Sequence, residues 1–151
     1  MPINSSKCYG HEIGLSCAFR QWRAESHCRF LHGYALSFKF VFGCTELDKN
    51  GWVVDFGGLK ELKKALQGAF DHKTVIAESD PALGYFQDLE KCGVIELVIL
   101  DEVGCEAFTK HAFILAEDCL NRQGLANKCF VISAECSEHG ANSAKYTREG
   151  Y

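Results

Sequence analysis

Apolar residues fall at every second position over residues 10–19, where Ile13, Leu15, Cys17 and Phe19 share one face. The same period recurs over residues 35–44, with Leu36, Phe38, Phe40 and Phe42 on one face and Ser37, Lys39 and Val41 on the other. A period of two predicts half-buried β-strands. Asp48-Lys49-Asn50-Gly51 reads as a turn leading into a short extended piece over 52–55. Beyond Gly57-Gly58 the spacing changes to three and four. Leu59, Leu62, Leu66 and Phe70 form a stripe with Lys60, Glu61, Lys63 and Lys64 outside it, predicting an amphipathic helix that ends at Asp71-His72. Residues 77–93 read as a loop with a helical piece over 85–91, followed by a strand over 94–100. A second amphipathic helix spans 105–123, with Phe108, Ala112, Leu115, Ala116 and Cys119 on one face; His111 beside the stripe reads as structural. Strands over 128–136 and 141–148, joined by Ser137-Glu138-His139-Gly140, complete the pattern. The expectation is a single α+β domain whose antiparallel four-stranded sheet is backed by two helices inserted between the strand pairs.

Composition narrows the function. A chain of 151 residues, 47% hydrophobic and 24% charged with two prolines, describes one ordered globular domain. The formal charge of −4 argues against a general nucleic-acid binder or a membrane-surface binder. No apolar run is long enough to span a bilayer and no leading run resembles a signal peptide, so a cytoplasmic location is expected. Nine cysteines without a Cys-x-x-Cys pair imply neither a disulfide framework nor a four-cysteine metal site; most read as small buried hydrophobes.

Candidate chemistry gathers in Ser26–Tyr34, Ser-His-Cys-Arg-Phe-Leu-His-Gly-Tyr, where Cys28 precedes His32 by four residues at a loop-to-strand junction. Thiol and imidazole are the side chains most readily used as nucleophile, base or metal ligand near neutral pH. Arg20, Arg23 and Arg29 stand in the same loop against the single carboxylate of Glu25, which suits a small anionic substrate as well as a solvated loop. Asp71 directly before His72 reads either as a surface pair or as a histidine tuned for proton transfer. Glu135 interrupts an apolar strand near its predicted end and requires a partner such as paired N–H donors.

The order and spacing of Cys28-Arg-Phe-Leu-His32-Gly-Tyr34, Gly51-Trp-Val-Val-Asp55-Phe56-Gly-Gly-Leu59-Lys60, Phe70-Asp71-His72 and Ser133-Ala-Glu135 resemble the 6-pyruvoyl-tetrahydropterin and 6-carboxy-tetrahydropterin synthases over nearly the whole chain. The resemblance implies a tunnelling fold (T-fold) whose subunits join edge to edge into a barrel, as trimers or hexamers with active sites between subunits. It implies a pterin substrate, dihydroneopterin triphosphate, or a close analogue. Carried over by position, it makes Cys28 the catalytic thiolate and Asp71 and His72 its acid–histidine partner from a neighbouring subunit. It makes Glu135 the anchor of the pterin ring and puts Glu106 in a weaker Thr-x-Glu-like position. Arg20 and Arg23 are the candidate substrate-binding cations. The family holds zinc with three histidines, one at the end of the first strand and two in His-x-His. Here Arg20 and Tyr34 occupy two of those positions and only His32 is retained, so the expectation is no cofactor, or zinc on other ligands, for which His27 and His11 are the nearest imidazoles. Three functions follow: a pterin-converting lyase, a metal-free enzyme with a different reaction on a pterin (aldolase- or epimerase-like), or a non-catalytic pterin-binding scaffold.

Overall fold

The computed structural model describes residues 2–151. Of the strand expected over residues 10–19 only the second half is one: β2 (Leu15–Phe19) follows a 3-10 turn at His11–Ile13, closed by Gly14 in the left-handed region at φ 71°. A further strand outside the expected span, β1 (Ser5–Tyr9), precedes that turn. Both run antiparallel to β3 (His32–Cys44), which is long enough to hold two partners on one side. β2 pairs its first half, with Phe19 opposite His32, and β1 its second, with Tyr9 opposite Phe38.

Helix α1 (Lys60–Phe70) follows a 3-10 turn at Phe56–Leu59 and buries Leu62, Leu66 and Phe70, as the stripe predicts. After it come β4 (Lys73–Ala77), α2 (Leu83–Lys91), β5 (Glu96–Leu100), α3 (Cys105–Arg122), β6 (Cys129–His139) and β7 (Asn142–Thr147). The sheet has seven strands in the order β5-β4-β2-β3-β6-β7, with β1 also on β3. This corrects the expected four-stranded antiparallel sheet and its two helices. Strands β1, β2, β3, β6 and β7 are antiparallel to one another where they pair, but β4 joins β2 in parallel and β5 joins β4 in parallel, linked by a third helix, α2. Thr74, Val75, Ile76 and Ala77 of β4 are all buried, so this strand has two covered faces and no alternation by which to recognise it.

One face of the sheet carries the core. Phe38 stacks on Phe70 of α1 at 4.9 Å, Phe70 meets Phe108 of α3 at 5.2 Å, and Phe108 meets Phe19 of β2 edge-on at 5.0 Å. Fully burying such a ring contributes about 1.5–3 kcal/mol by apolar area alone. The uncovered face is polar: Cys8, Lys39, Glu135 and Lys145 lie side by side across β1, β3, β6 and β7. β6 continues through Ser137 and Glu138, expected as a turn, so Glu135 lies mid-strand and not near its end. Among the described residues no helix is long and apolar enough to cross a membrane.

Candidate active site

Strands β2, β4 and β5 run in the same direction, and their C-terminal ends meet the start of β3 and the start of α3 at one pole of the subunit. Cys28 lies there, half-buried in a 3-10 turn (His27–Arg29) whose N-cap Ser26 accepts a hydrogen bond from the Cys28 amide. Both sides of this turn are fastened to the end of β2. The Gln21 amide donates to the Cys28 carbonyl at 2.9 Å, and Arg20 Nη1 donates to the Arg29 carbonyl at 3.2 Å.

Arg20 is held from its other side by Asp80, with Nε and Nη2 donating to the two carboxylate oxygens at 2.8 and 2.7 Å. The Asp80 side chain is 0% exposed and that of Arg20 21%. The Ala82 amide also donates to Asp80. The guanidinium hydrogen bonds and charge hold the Asp80 carboxyl below the usual carboxylate range. Arg20 thus directs its fork at Asp80 and its remaining nitrogen at a carbonyl. Arg23 is turned to Glu102 and Ser79, with its guanidinium over the Trp22 ring at 4.4 Å. Gln21 reaches the Val103 carbonyl, so the whole 20–29 loop is anchored on the segments that follow β4 and β5.

The aromatic part of this pole is a short chain of rings. Phe19 lies 5.3 Å from His32, His32 5.5 Å from Tyr34, and Tyr34 5.9 Å from His139. His32 Nδ1 sits 2.7 Å from the Phe30 carbonyl, a contact that makes Nδ1 the protonated nitrogen and leaves Nε2 as the available lone pair. Burial and the neighbouring Glu138, Cys28 and Cys105 raise the Tyr34 phenol above its ordinary range, which keeps it a hydrogen-bond donor. Cys105 and Cys136 are both buried, and their mutual interaction holds the Cys105 thiol down and, together with burial, pushes that of Cys136 up.

These residues do not fit a three-histidine zinc site. A guanidinium stays protonated and cannot ligate, and Arg20 is already committed to a buried carboxylate. Among the described residues no three of His, Cys, Asp or Glu converge on a point suited to a metal ion. His27 and His11 lie exposed; His11 is turned to the Ala35 carbonyl at 2.5 Å.

Asp71 and His72 are elsewhere. The Asp71 amide closes α1 on the Gln67 carbonyl, and its carboxylate accepts from the Ser16 amide at 3.2 Å. His72 takes the left-handed conformation, φ 57°, with its amide on the Ser16 carbonyl at 2.7 Å and Nδ1 2.8 Å from Asp71. An ionised Asp71 fixes the proton on Nδ1 and leaves Nε2 facing outward on a side chain 83% exposed. Ser16 on β2 and Gln21 just beyond its end lie five residues apart, so the dyad stands on the order of 15 Å from the Cys28 turn of the same chain at ~3.3 Å per residue. Glu135, midway along β6, is flanked in register by Lys39 and Lys145 and is far from both. One subunit therefore brings Cys28, His32, Tyr34, Arg20 and Arg23 together and leaves Asp71, His72 and Glu135 apart.

Two features escape the sequence reading. Asp80 is sixty residues from Arg20, and nothing in its local pattern marks it as a partner. The second is a cleft of about 730 Å³ between β5 and α3, where Glu106, already marked by the resemblance, stands with Glu78, Asp101, Glu102, Lys110 and His111. His111 also packs edge-on against Phe70, and burial holds its imidazole below the usual value.

The family model for 6-pyruvoyl tetrahydropterin synthase matches residues 10–149. A 6-carboxy-5,6,7,8-tetrahydropterin synthase of Rickettsia conorii is 35% identical over 69 residues, 45% of this chain and 49% of that protein. The chain thus spans about half the length of the Rickettsia relatives it matches. The enzyme of the same name from Aquifex aeolicus is 25% identical over 138 residues, 90% of this chain and 85% of its own length. Among solved structures, an uncharacterized protein of Wolinella succinogenes superposes with a TM-score of 0.75 at 20% identity, covering 99% of this chain and 98% of that one. A catalytic-residue mutant of Plasmodium vivax 6-pyruvoyltetrahydropterin synthase gives 0.67 at 15% identity, covering 97% and 98%. At these identities the structural likeness speaks for the fold alone.

Proposed function

The chain belongs to the 6-pyruvoyl tetrahydropterin synthase family, and on that premise we propose that it is a pterin-converting lyase acting on dihydroneopterin triphosphate or a close analogue. The observation that carries this reading is the Asp71–His72 dyad. A histidine held in a left-handed conformation, with Nδ1 fixed by a carboxylate and Nε2 turned outward, is built for proton transfer with something outside its own subunit. Cys28 on a neighbouring copy is its counterpart. In that arrangement the Cys28 thiolate exchanges a proton with the substrate side chain, and His72 holds or returns it. Glu135 receives the N–H edge of the pterin ring as a charge-assisted acceptor, with Lys39 and Lys145 beside it. The subunits join through their open sheet edges into a trimer or hexamer located in the cytoplasm.

The chemistry is proposed to be independent of zinc. Tyr34 supplies a phenolic donor where the resemblance places a metal ligand, so developing negative charge on the substrate side chain meets a hydrogen bond, while Arg20 is spent on Asp80 and the Arg29 carbonyl. The same observation favours a second reading, in which an enzyme of this fold runs a different reaction on a pterin, aldolase- or epimerase-like. Metal analysis of the purified protein, paired with turnover of dihydroneopterin triphosphate, separates the two. The first reading expects turnover by metal-free protein and none by Cys28→Ala. Loss of activity on metal removal, with recovery on adding zinc, would sink the zinc-independent mechanism. Conversion of other pterins but not of the triphosphate would select the second reading.

A further inference from the structure

We propose that the buried Arg20–Asp80 ion pair is the device that positions the Cys28 turn. This rests on the reading of Cys28 as the reactive thiol. The end of β2 and the start of β3 bracket the Cys28 turn, and one guanidinium fastens the turn between them. Two of its nitrogens close a fork on Asp80, and the third holds the Arg29 carbonyl, one residue beyond Cys28. The neighbouring Gln21 amide holds Cys28 itself. Asp80 is in turn fixed by the Ala82 amide and by its own amide on the Ala77 carbonyl, so the anchor belongs to the well-buried end of β4. The chain of contacts runs from the buried strand β4 through Asp80 and Arg20 to the carbonyl beside Cys28. Arg20 and Asp80 are positioning residues in this scheme; neither touches substrate.

The pair also explains why Arg20 is an arginine and not a lysine. Only a planar fork can meet both Asp80 oxygens and keep a third donor for a carbonyl on another segment. A lysine would keep the charge and lose the second tether.

The test reads the thiol directly, so it does not depend on any pterin reaction. Iodoacetamide labelling of the native protein, followed peptide by peptide, compares Cys28 with exposed Cys92 and with buried Cys17, Cys129 and Cys136. In Arg20→Gln/Asp80→Asn, which leaves no unpaired buried charge, labelling of Cys28 is expected to rise about tenfold relative to Cys92, with the buried thiols unchanged. Arg20→Lys should fall between this variant and the unsubstituted protein. A chelator should leave the unsubstituted Cys28 rate as it is. An unchanged Cys28 rate in the double variant overturns the proposal. So does a parallel rise at the buried cysteines, which would make the pair a support of the whole fold, or a rise on chelation, which would make a metal the tether. With a working assay the double variant lowers kcat and leaves KM nearly unchanged, as a displaced reactive group requires. If labelling behaves as stated and no pterin is turned over, the clamp stands and the lyase reading fails. Turnover of the triphosphate with unchanged labelling keeps the lyase reading and overturns the clamp.

Discussion

Individual residues in this protein are set against their intrinsic preferences where the chemistry is proposed to occur. A histidine at φ 57° carries a steric cost that glycine would not, of roughly 1–2 kcal/mol. His72→Gly should therefore cost no more than ~1 kcal/mol of stability in a denaturant titration, the relief of strain offsetting the greater freedom of the unfolded chain. The same variant should abolish turnover. Buried Asp80 behaves in the opposite way. Removing it strands Arg20, and Asp80→Ala should cost about 3 kcal/mol in the same titration. The pair also gives stability a definite pH dependence. Arg20 depresses the Asp80 carboxyl in the folded chain, so its contribution is complete above the unfolded value of about 4 and is lost as pH falls through the lower, folded value. Acid unfolding of Arg20→Gln/Asp80→Asn should lack that component, which circular dichroism across pH 2–5 (roughly the window set by these values) would register.

At the scale of elements, strength of periodicity decides what the chain reveals. Helix α1 and the second half of β3 are legible because each has one covered and one open face. Phe70→Ala, at the centre of the aromatic cluster, should cost about 3–5 kcal/mol, measured by thermal or chemical unfolding. Strand β4 is invisible for the converse reason: sandwiched between β2 and β5 and covered on both faces, it is apolar at every position after Thr74 and shows no alternation. The turn before β2 is hidden too, since Ile13 continues the apolar pattern of residues 10–19 through a 3-10 turn closed by the left-handed Gly14. For the candidate site, motif spacing singles out Cys28, Asp71, His72 and Glu135 as proposals but does not reveal the residues they are held by. Asp80, Ser16, Lys39 and Lys145 come into place only through the pairing of segments distant in sequence.

The subunit as a whole has its proposed reactive groups at two poles and unpaired edges on β1, β5 and β7. If adjacent copies complete each site, Cys28→Ala and His72→Ala should each be inactive alone. Unfolded together and refolded in equal amounts, they should recover about a quarter of the unsubstituted activity, since half of the sites would hold an intact Cys28 and half of those an intact His72. Recovery of none would require that both groups act within one copy. The pairing of β3 with β6 has a consequence for how this protein is made. Phe40 finds Ala134 only after roughly ninety further residues have been synthesised, at ~5–20 residues per second. For on the order of five to twenty seconds a long, phenylalanine-lined strand stands with one edge uncovered, and for most of that time α3, which completes the cover over its rings, is still unmade. The nascent chain is thus most exposed to sticking to its neighbours during its own translation, so its yield in a cell should respond to the supply of chaperones that hold apolar strands.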